Sequence, residues 1–326
     1  MARNKNNLRE EIEQMVAIAN LYYDGGCSQQ EIATALGISR PAVSRLLARA
    51  REERIVTISI LDPFNINQGL ADKLCLEAGL SAAIVTPAVP NSPELNLRLV
   101  GISAARFIEK KIKTDEVVGI GWGRSLYSVG QSLEKQSTKG VTFVPLTGGL
   151  GQISPQFQVN ELIRIFSKFF NGQPKQFFLP ALVQDDETKT SLMETVDSKG
   201  ITTIWENLTT ALVGIGNVDF ETELKMLFVN YVDQDTRQRL MASEAVGDIC
   251  MQFFDQNGQD IKDGLRGVIG ITLDQLRKVP NVIAISTGEN KVPAILGAIR
   301  GKIIKTLITD ELTAETILLK LKEDRK

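Results

Sequence analysis

The sequence predicts an α/β protein in two parts. Residues 1–62 read as an N-terminal winged helix-turn-helix module, and residues 63–326 as a larger Rossmann-like, mostly parallel α/β domain. Three observations predict this. Residues 28–50, SQQEIATALGISRPAVSRLLARA, place small and apolar side chains at helix-turn-helix offsets. From Ser81 onward, short continuously apolar stretches alternate with helical patterns and glycine turns, as in a parallel sheet covered on both faces. The chain has 326 residues, beyond the roughly 250–300 that a single core usually serves.

Residues 8–24 read as an amphipathic helix, with Ile12, Val16 (or Met15), Ala19 and Tyr23 at helical spacing and Gly25-Gly26 ending it. Counted from Gln29, the residues Ile32, Ala33, Leu36, Gly37, Ile38, Val43 and Leu46 then fall where a helix-turn-helix needs apolar or small groups. Ala33 sits where the two helices approach most closely, and Gly37 at the turn, where a left-handed backbone favours a residue without Cβ. Ser39 can cap the second helix, and Pro41 suits its first turn because no amide hydrogen is needed there.

In that second helix Val43, Leu46, Leu47 and Ala50 make one apolar stripe, while Arg40, Ser44, Arg45 and Arg49 point the other way. An ordinary surface hairpin with a basic face would share the glycine turn. Seven agreeing positions and an arginine-bearing face point instead to a recognition helix. The candidate DNA contacts are Gln29, Ser39, Arg40, Pro41, Ser44, Arg45 and Arg49, with Arg45 nearer the base edges and Arg49 nearer a phosphate. Residues 55–60 alternate with a β-branched bias and read as a wing strand. Asp62-Pro63 stops it, which places the domain boundary there and a connecting helix over residues 65–80.

In the larger part, strands are expected at residues 82–85, 117–120, 141–144, 211–215, 282–285 and 305–308. Helices are expected at residues 93–112, 124–135, 159–170 and 291–299. Ligands of such sheets bind beyond the carboxyl ends of the strands, where the glycine turns fall. VGIGWGRSL, at residues 118–126, offers backbone amides, a helix start and the donors Arg124 and Ser125 to an anion, although its spacing is neither a dinucleotide fingerprint nor a Walker loop. PLTGGLG (145–151), with Gln158 and Asn160 beyond it, ALVGIG (211–216), AVGD (245–248) and STGENK (286–291) read as further turns. Each alone suits a tight connection, a helix cap or a solvated lysine. Five on one parallel sheet point to a shared polyhydroxy or phosphate pocket.

Composition excludes several chemistries. The net charge of −2 is wrong for a protein that coats nucleic acid along its whole surface, and fits a local basic module on a neutral chain. There is no histidine, which removes Ser–His and Cys–His nucleophile pairs and histidine-bound zinc. Cys27, Cys75 and Cys250 are odd in number and lack metal spacing, so a reduced cytoplasm is expected, with no metal and no cofactor. Residues 1–9 are polar and basic, unlike a signal peptide. The longest uncharged run, 140–160, is broken by glycines, prolines and glutamines, so no membrane partner is expected.

The order of a helix-turn-helix, then VGIGWGRSL, PLTGGLG, ALVGIG, EAVGDICMQFFDQNG and STGENKVPAILGAIRGKIIKTLITDELTA, resembles the SorC/DeoR family of bacterial sugar-binding transcriptional regulators over nearly the whole chain. The resemblance implies an effector domain similar in fold to sugar-phosphate isomerases that binds a sugar or sugar phosphate. By position, Gly123, Arg124 and Ser125 would take part in an anion cradle, Gln158 and Asn160 would reach hydroxyls, Asp248 would accept from a hydroxyl, and Lys291 would meet the phosphate or anomeric end. The implied cleft is completed by Gly121, Trp122, Gly148, Gly149, Gly216, Gly288 and Glu289. One departure stands out: Thr287-Gly288 occupies a place where many relatives have two glycines, giving a bulkier wall.

The function so implied is a sugar- or phosphosugar-responsive regulator that binds operator DNA, controls a carbohydrate-utilisation operon and contains no catalytic residue. One recognition helix reads only a few base pairs, so a homodimer or homotetramer is expected. The same folds host enzymes, and a sugar-phosphate isomerase with an accessory DNA-binding module is the alternative. It would need a carboxylate with an acid–base partner. Asp248 offers the first, and no neighbouring turn offers the second.

Overall fold

The computed structural model describes residues 2–56, 65–151, 153–218, 234–261 and 265–325. The chain divides into two compact units, Met1–Leu61 and Asp62–Lys326.

In the first unit, α1 (Ala2–Ala19) runs into a π-helical turn, Asn20–Asp24. Met15, Ile18 and Ala19 are buried, whereas Ile12, Val16 and Tyr23 are exposed. Met15 and Ala19 of the expected stripe thus face inward with Ile18, and the wider π turn carries Tyr22 rather than Tyr23 onto the core. α2 (Gln29–Leu36) opens with a capping box: Ser28 Oγ accepts from Glu31 N–H at 3.3 Å, and Glu31 accepts from Ser28 N–H at 2.8 Å. Gly37 takes the left-handed conformation, φ 64°. α3 (Arg40–Glu52) follows, with Ser39 Oγ accepting from Ala42 N–H at 3.3 Å and Pro41 in the first turn. Ile18, Ile32, Ala33, Val43 and Leu47 form the core. Ile38 and Leu46 are half-buried and pack against it, whereas Leu36, also read inward, is exposed. Most of the expected wing, residues 57–60, lies outside the described residues; Ile55 and Val56 are half-buried and pair with no strand among the described residues.

The second unit begins its described part with α4 (Gln68–Ala78), capped by Asn67 Oδ1, which accepts from Leu70 N–H at 3.1 Å. Its strands are β1 (Ala82–Thr86), β2 (Val117–Ile120), β3 (Thr142–Pro145), β4 (Gln173–Pro174), β5 (Thr210–Gly214), β6 (Gly216–Asn217), β7 (Ala245–Ile249), β8 (Gln252–Asp255), β9 (Asn281–Ile285) and β10 (Thr306–Asp310). Among the described residues, seven of them form a parallel sheet in the order β1-β10-β9-β5-β2-β3-β4. Both faces are covered. Val118, Ile120, Leu212, Ile283 and Ile285 pack against α5 (Pro93–Lys111), α6 (Arg124–Gly130) and α7 (Val159–Phe170) on one side. Ala211, Val213, Val282 and Ala284 enter the core on the other. The alternation explains why each strand reads as an uninterrupted apolar run.

From β2 the chain winds outward through β3 and β4; from β5 it winds the other way through β9 and β10. Adjacent strands β2 and β5 therefore flank the switch point, where a crevice opens at their carboxyl ends. The small sheet β6-β7-β8 is antiparallel and stands beside it. Here one expectation is corrected: AVGD is a strand of this sheet, not a turn of the parallel one. α6 ends at Gly130, five residues short of the expected end, where Gly130 abuts Ile165 of α7.

Candidate ligand cleft and nucleic-acid interface

A cleft of about 600 Å³ opens at the switch point, within the roughly 300–1,000 Å³ typical of small-molecule sites. Gly121, Trp122, Gly123, Arg124 and Ser125 enter it from the turn after β2, and Gly214, Ile215, Gly216 and Asn217 from the end of β5 and β6. Thr287, Gly288, Asn290 and Lys291 come from the turn after β9, and Asp248 and Cys250 from the small sheet. Pro93, Glu94 and Leu97 of α5 and Ile153, Ser154 and Phe157 before α7 close the remaining sides.

Local geometry explains these placements. Gly123 has φ 111°, a value that a side chain disfavours, and its N–H donates to Phe157 O at 3.2 Å. The Phe157 ring meets Tyr127 edge-on at 5.4 Å, which seats the 153–157 segment on α6. Gly216 is the register partner of Asp248, and a Cβ at Gly216 would come within 2.1 Å of Asp248 Oδ1. The missing side chain is what lets this buried carboxylate reach the cleft. Asp248 Oδ2 also accepts from Met251 N–H at 3.0 Å, closing the tight turn Cys250-Met251, where both residues are left-handed. Burial, reinforced by the charge of Asp248, pushes the Cys250 thiol well above its ordinary range.

On the opposite rim, Lys291 Nζ donates to Ile215 O at 3.1 Å. Gly288 N–H donates to Thr313 Oγ1 at 2.8 Å, and Thr313 in turn donates from N–H and Oγ1 to the two oxygens of Asp310, at 2.8 and 2.9 Å. The 286–291 turn is thus anchored to the helix Glu311–Glu323. Charge in the cleft is mixed: Arg124 and Lys291 oppose Glu94 and Asp248.

The structure brings together Gly121, Trp122, Gly123, Arg124, Ser125, Gly216, Asp248, Gly288 and Lys291. It does not bring Gly148, Gly149, Gln158, Asn160 or Glu289 to the cleft. Gly148 is pressed against Pro180, and Gly149 pairs with the same segment through Leu179 O and Ala181 N–H. Gln158 bonds the Leu150 backbone on both sides, and Asn160 does the same for Phe177. Glu289 is exposed and accepts from Thr316 Oγ1 at 3.0 Å. The sequence reading missed Asn217 and the apolar wall of Leu97, Ile153 and Phe157, while Thr287 lines the cleft where a bulkier wall is expected. The turn after β5 was in view for Asn217, while α5 approaches from too far along the chain for any local signal.

On the first unit, Arg40, Pro41, Ser44 and Arg45 are exposed along α3. Ser39 is exposed but its Oγ is engaged as the cap, and Gln29 is half-buried at the start of α2. Arg49 differs from the expectation of a phosphate-facing group. It is half-buried and ion-paired with Glu53 at 2.5 Å and Glu11 at 3.0 Å, and these partners raise its guanidinium pKa further. Among the described residues, no cluster of acidic, cysteine or histidine side chains could hold a metal ion, and no helix is long and apolar enough to cross a membrane.

Residues 60–319 match the family described as a putative sugar-binding domain, and residues 11–60 match the MarR family. The sorbitol operon regulator of Klebsiella pneumoniae is 31% identical over 95% of this chain and 98% of its own. Its full-length crystal structure superposes with a TM-score of 0.74, covering 94% of this chain and 98% of that one. The deoxyribonucleoside regulator of Bacillus subtilis is 31% identical, again over 95% and 98% of the two chains. A probable sor operon regulator from Shigella flexneri, 27% identical, superposes over 77% of this chain and 99% of its own with a TM-score of 0.71. With a helix-turn-helix ahead of a switch-point cleft and these relatives along its length, the chain belongs to the SorC/DeoR family of bacterial sugar-binding transcriptional regulators.

Proposed function

We propose that a sugar or sugar phosphate binds the switch-point cleft and alters operator binding by the helix-turn-helix unit. One observation carries the reading: a buried carboxylate, Asp248, two cations, Arg124 and Lys291, and the open backbone of Gly121–Ser125 converge on one cavity. Asp248 accepts from ligand hydroxyls, while Arg124 and Lys291 attract an anionic end through charge-assisted hydrogen bonds. Arg40, Ser44 and Arg45 carry base and phosphate contacts from α3. The protein acts as a homo-oligomer, dimer or tetramer, because paired recognition helices read half-sites about 34–36 Å apart or multiples of that spacing.

The reading is of a cytoplasmic regulator without catalysis. The relatives described above are regulators by name, and Asp248 accepts a hydrogen bond from the Met251 backbone amide. A thermal-shift screen of free and phosphorylated aldoses, ketoses and alditols tests the cleft, since a ligand of the folded state raises the melting temperature by mass action. Lack of a shift from any of them would defeat the proposal, and turnover of a sugar phosphate would favour the isomerase.

A further inference from the structure

Asn217 has a feature that the sugar reading alone does not explain. It lines the cleft, is 6% exposed, and its Oδ1 is buried without a hydrogen-bond partner among the described residues. A buried carboxamide oxygen left unpaired is costly, so such a group calls for an explanation. The amide belongs to β6, directly after Gly216, whose register partner is Asp248. Gly216 and Asn217 are successive strand residues, so the Asp248 carboxylate and the Asn217 carboxamide lie on opposite faces of the small sheet, and both residues line the cleft.

The terminal torsion of asparagine is soft and broad, so the amide can turn within its site. We infer that Asn217 is a specificity-determining residue: its Oδ1 turns to accept from a ligand hydroxyl other than the one taken by Asp248, which selects a polyhydroxy ligand over its deoxy analogue. This rests on the proposed sugar-binding reading of the cleft. The pairing gives the oxygen a partner that it lacks among the described residues. A ligand lacking that hydroxyl leaves the oxygen unpaired and is rejected, as happens where a site is built around a substrate hydroxyl.

The test uses the full-length protein with Asn217→Leu and Asn217→Ala, and matched pairs of probes: ribose 5-phosphate with 2-deoxyribose 5-phosphate, and glucose 6-phosphate with 2-deoxyglucose 6-phosphate, each also as the free sugar. Melting temperatures are measured without ligand, and affinities by calorimetry. The inference predicts that at least one variant melts no lower than wild type without ligand, because an orphaned oxygen is removed. It also predicts that affinity for the hydroxylated probe falls about tenfold, the worth of one hydrogen bond, and that the preference over the deoxy probe disappears. Lowered melting in both variants would overturn it by showing the amide to be structural. Unchanged affinity and preference would overturn it while leaving the sugar site intact. Failure of every probe to bind wild type would remove the sugar reading and this inference with it.

Discussion

The side chain of Asn160 holds Phe177 by both backbone groups, donating to its carbonyl at 3.0 Å and accepting from its N–H at 3.2 Å. The amide that sequence reading assigns to sugar hydroxyls is thus committed to fastening the chain after β4 to α7. Asn160→Ala should lower stability by about 1–3 kcal/mol, as expected when partly buried backbone groups lose their partners. Urea unfolding measures the loss, and ligand affinity well below the transition should stay at the wild-type value.

Lys291 makes a contrasting prediction. Replacing it by methionine keeps the stem but removes the charge that lies between Ile215 O and the cleft. Affinity for a phosphorylated sugar should fall by about 1.5–3 kcal/mol, the range for hydrogen bonds to charged groups, while affinity for the free sugar should change less. Calorimetry on the two ligands separates these outcomes.

The parallel sheet was legible because its strands are buried on both faces and so read as unbroken apolar runs. Asp248 was legible as an acid beside a glycine, but not as a strand residue, because Gly247 and Asp248 of β7 are residue types depleted in strands. Gln158 and Asn160 show the limit of such reading. A side-chain amide at a helix start has the same sequence signature whether it meets a ligand or its own backbone, and only the fold decides. Arg49 was assigned by helical phase to the DNA side, yet Glu11, distant in sequence, and Glu53, one turn on, claim its guanidinium.

That pairing sets Arg49 apart from Arg45 on α3. Arg45→Ala should weaken operator binding by roughly 1–3 kcal/mol and relax specificity at one base pair. Arg49→Ala should leave the salt dependence of binding nearly unchanged. Binding isotherms at several salt concentrations check both, since each phosphate contact adds to the slope.

Lys302 is exposed and left-handed, φ 52°, while the preceding Gly301 is pressed against Gly258 at a distance no Cβ would tolerate. The glycine of this helix end therefore serves the close approach, and the lysine bears the strained backbone. Lys302→Gly should raise stability by about 0.5–1 kcal/mol, because glycine adopts this conformation without steric cost. Chemical denaturation of the pair measures it.

Burial raises the Asp310 carboxyl above its ordinary value of 3.8, against the opposing hydrogen bonds from Thr313 and Gly288. A raised folded-state pKa means that the folded protein holds the proton more tightly than the unfolded chain. The contribution to stability is therefore fully present below 3.8 and declines as pH rises through the folded value. Asp310→Asn, which keeps the shape without the charge, should gain on wild type over that interval. Paired urea titrations across acid pH give the difference.

Regulation requires that the cleft and the helix-turn-helix surface share free energy, and such coupling is reciprocal. The direct measurement is a pair of calorimetric titrations of the tightest-binding sugar or sugar phosphate from the thermal screen, one with the protein alone and one with saturating operator DNA. Coupling of about 1–3 kcal/mol predicts affinities that differ by roughly 5- to 150-fold, with operator affinity changed by the same factor when the ligand is saturating. Equal ligand affinities in the two titrations would contradict ligand-gated DNA binding.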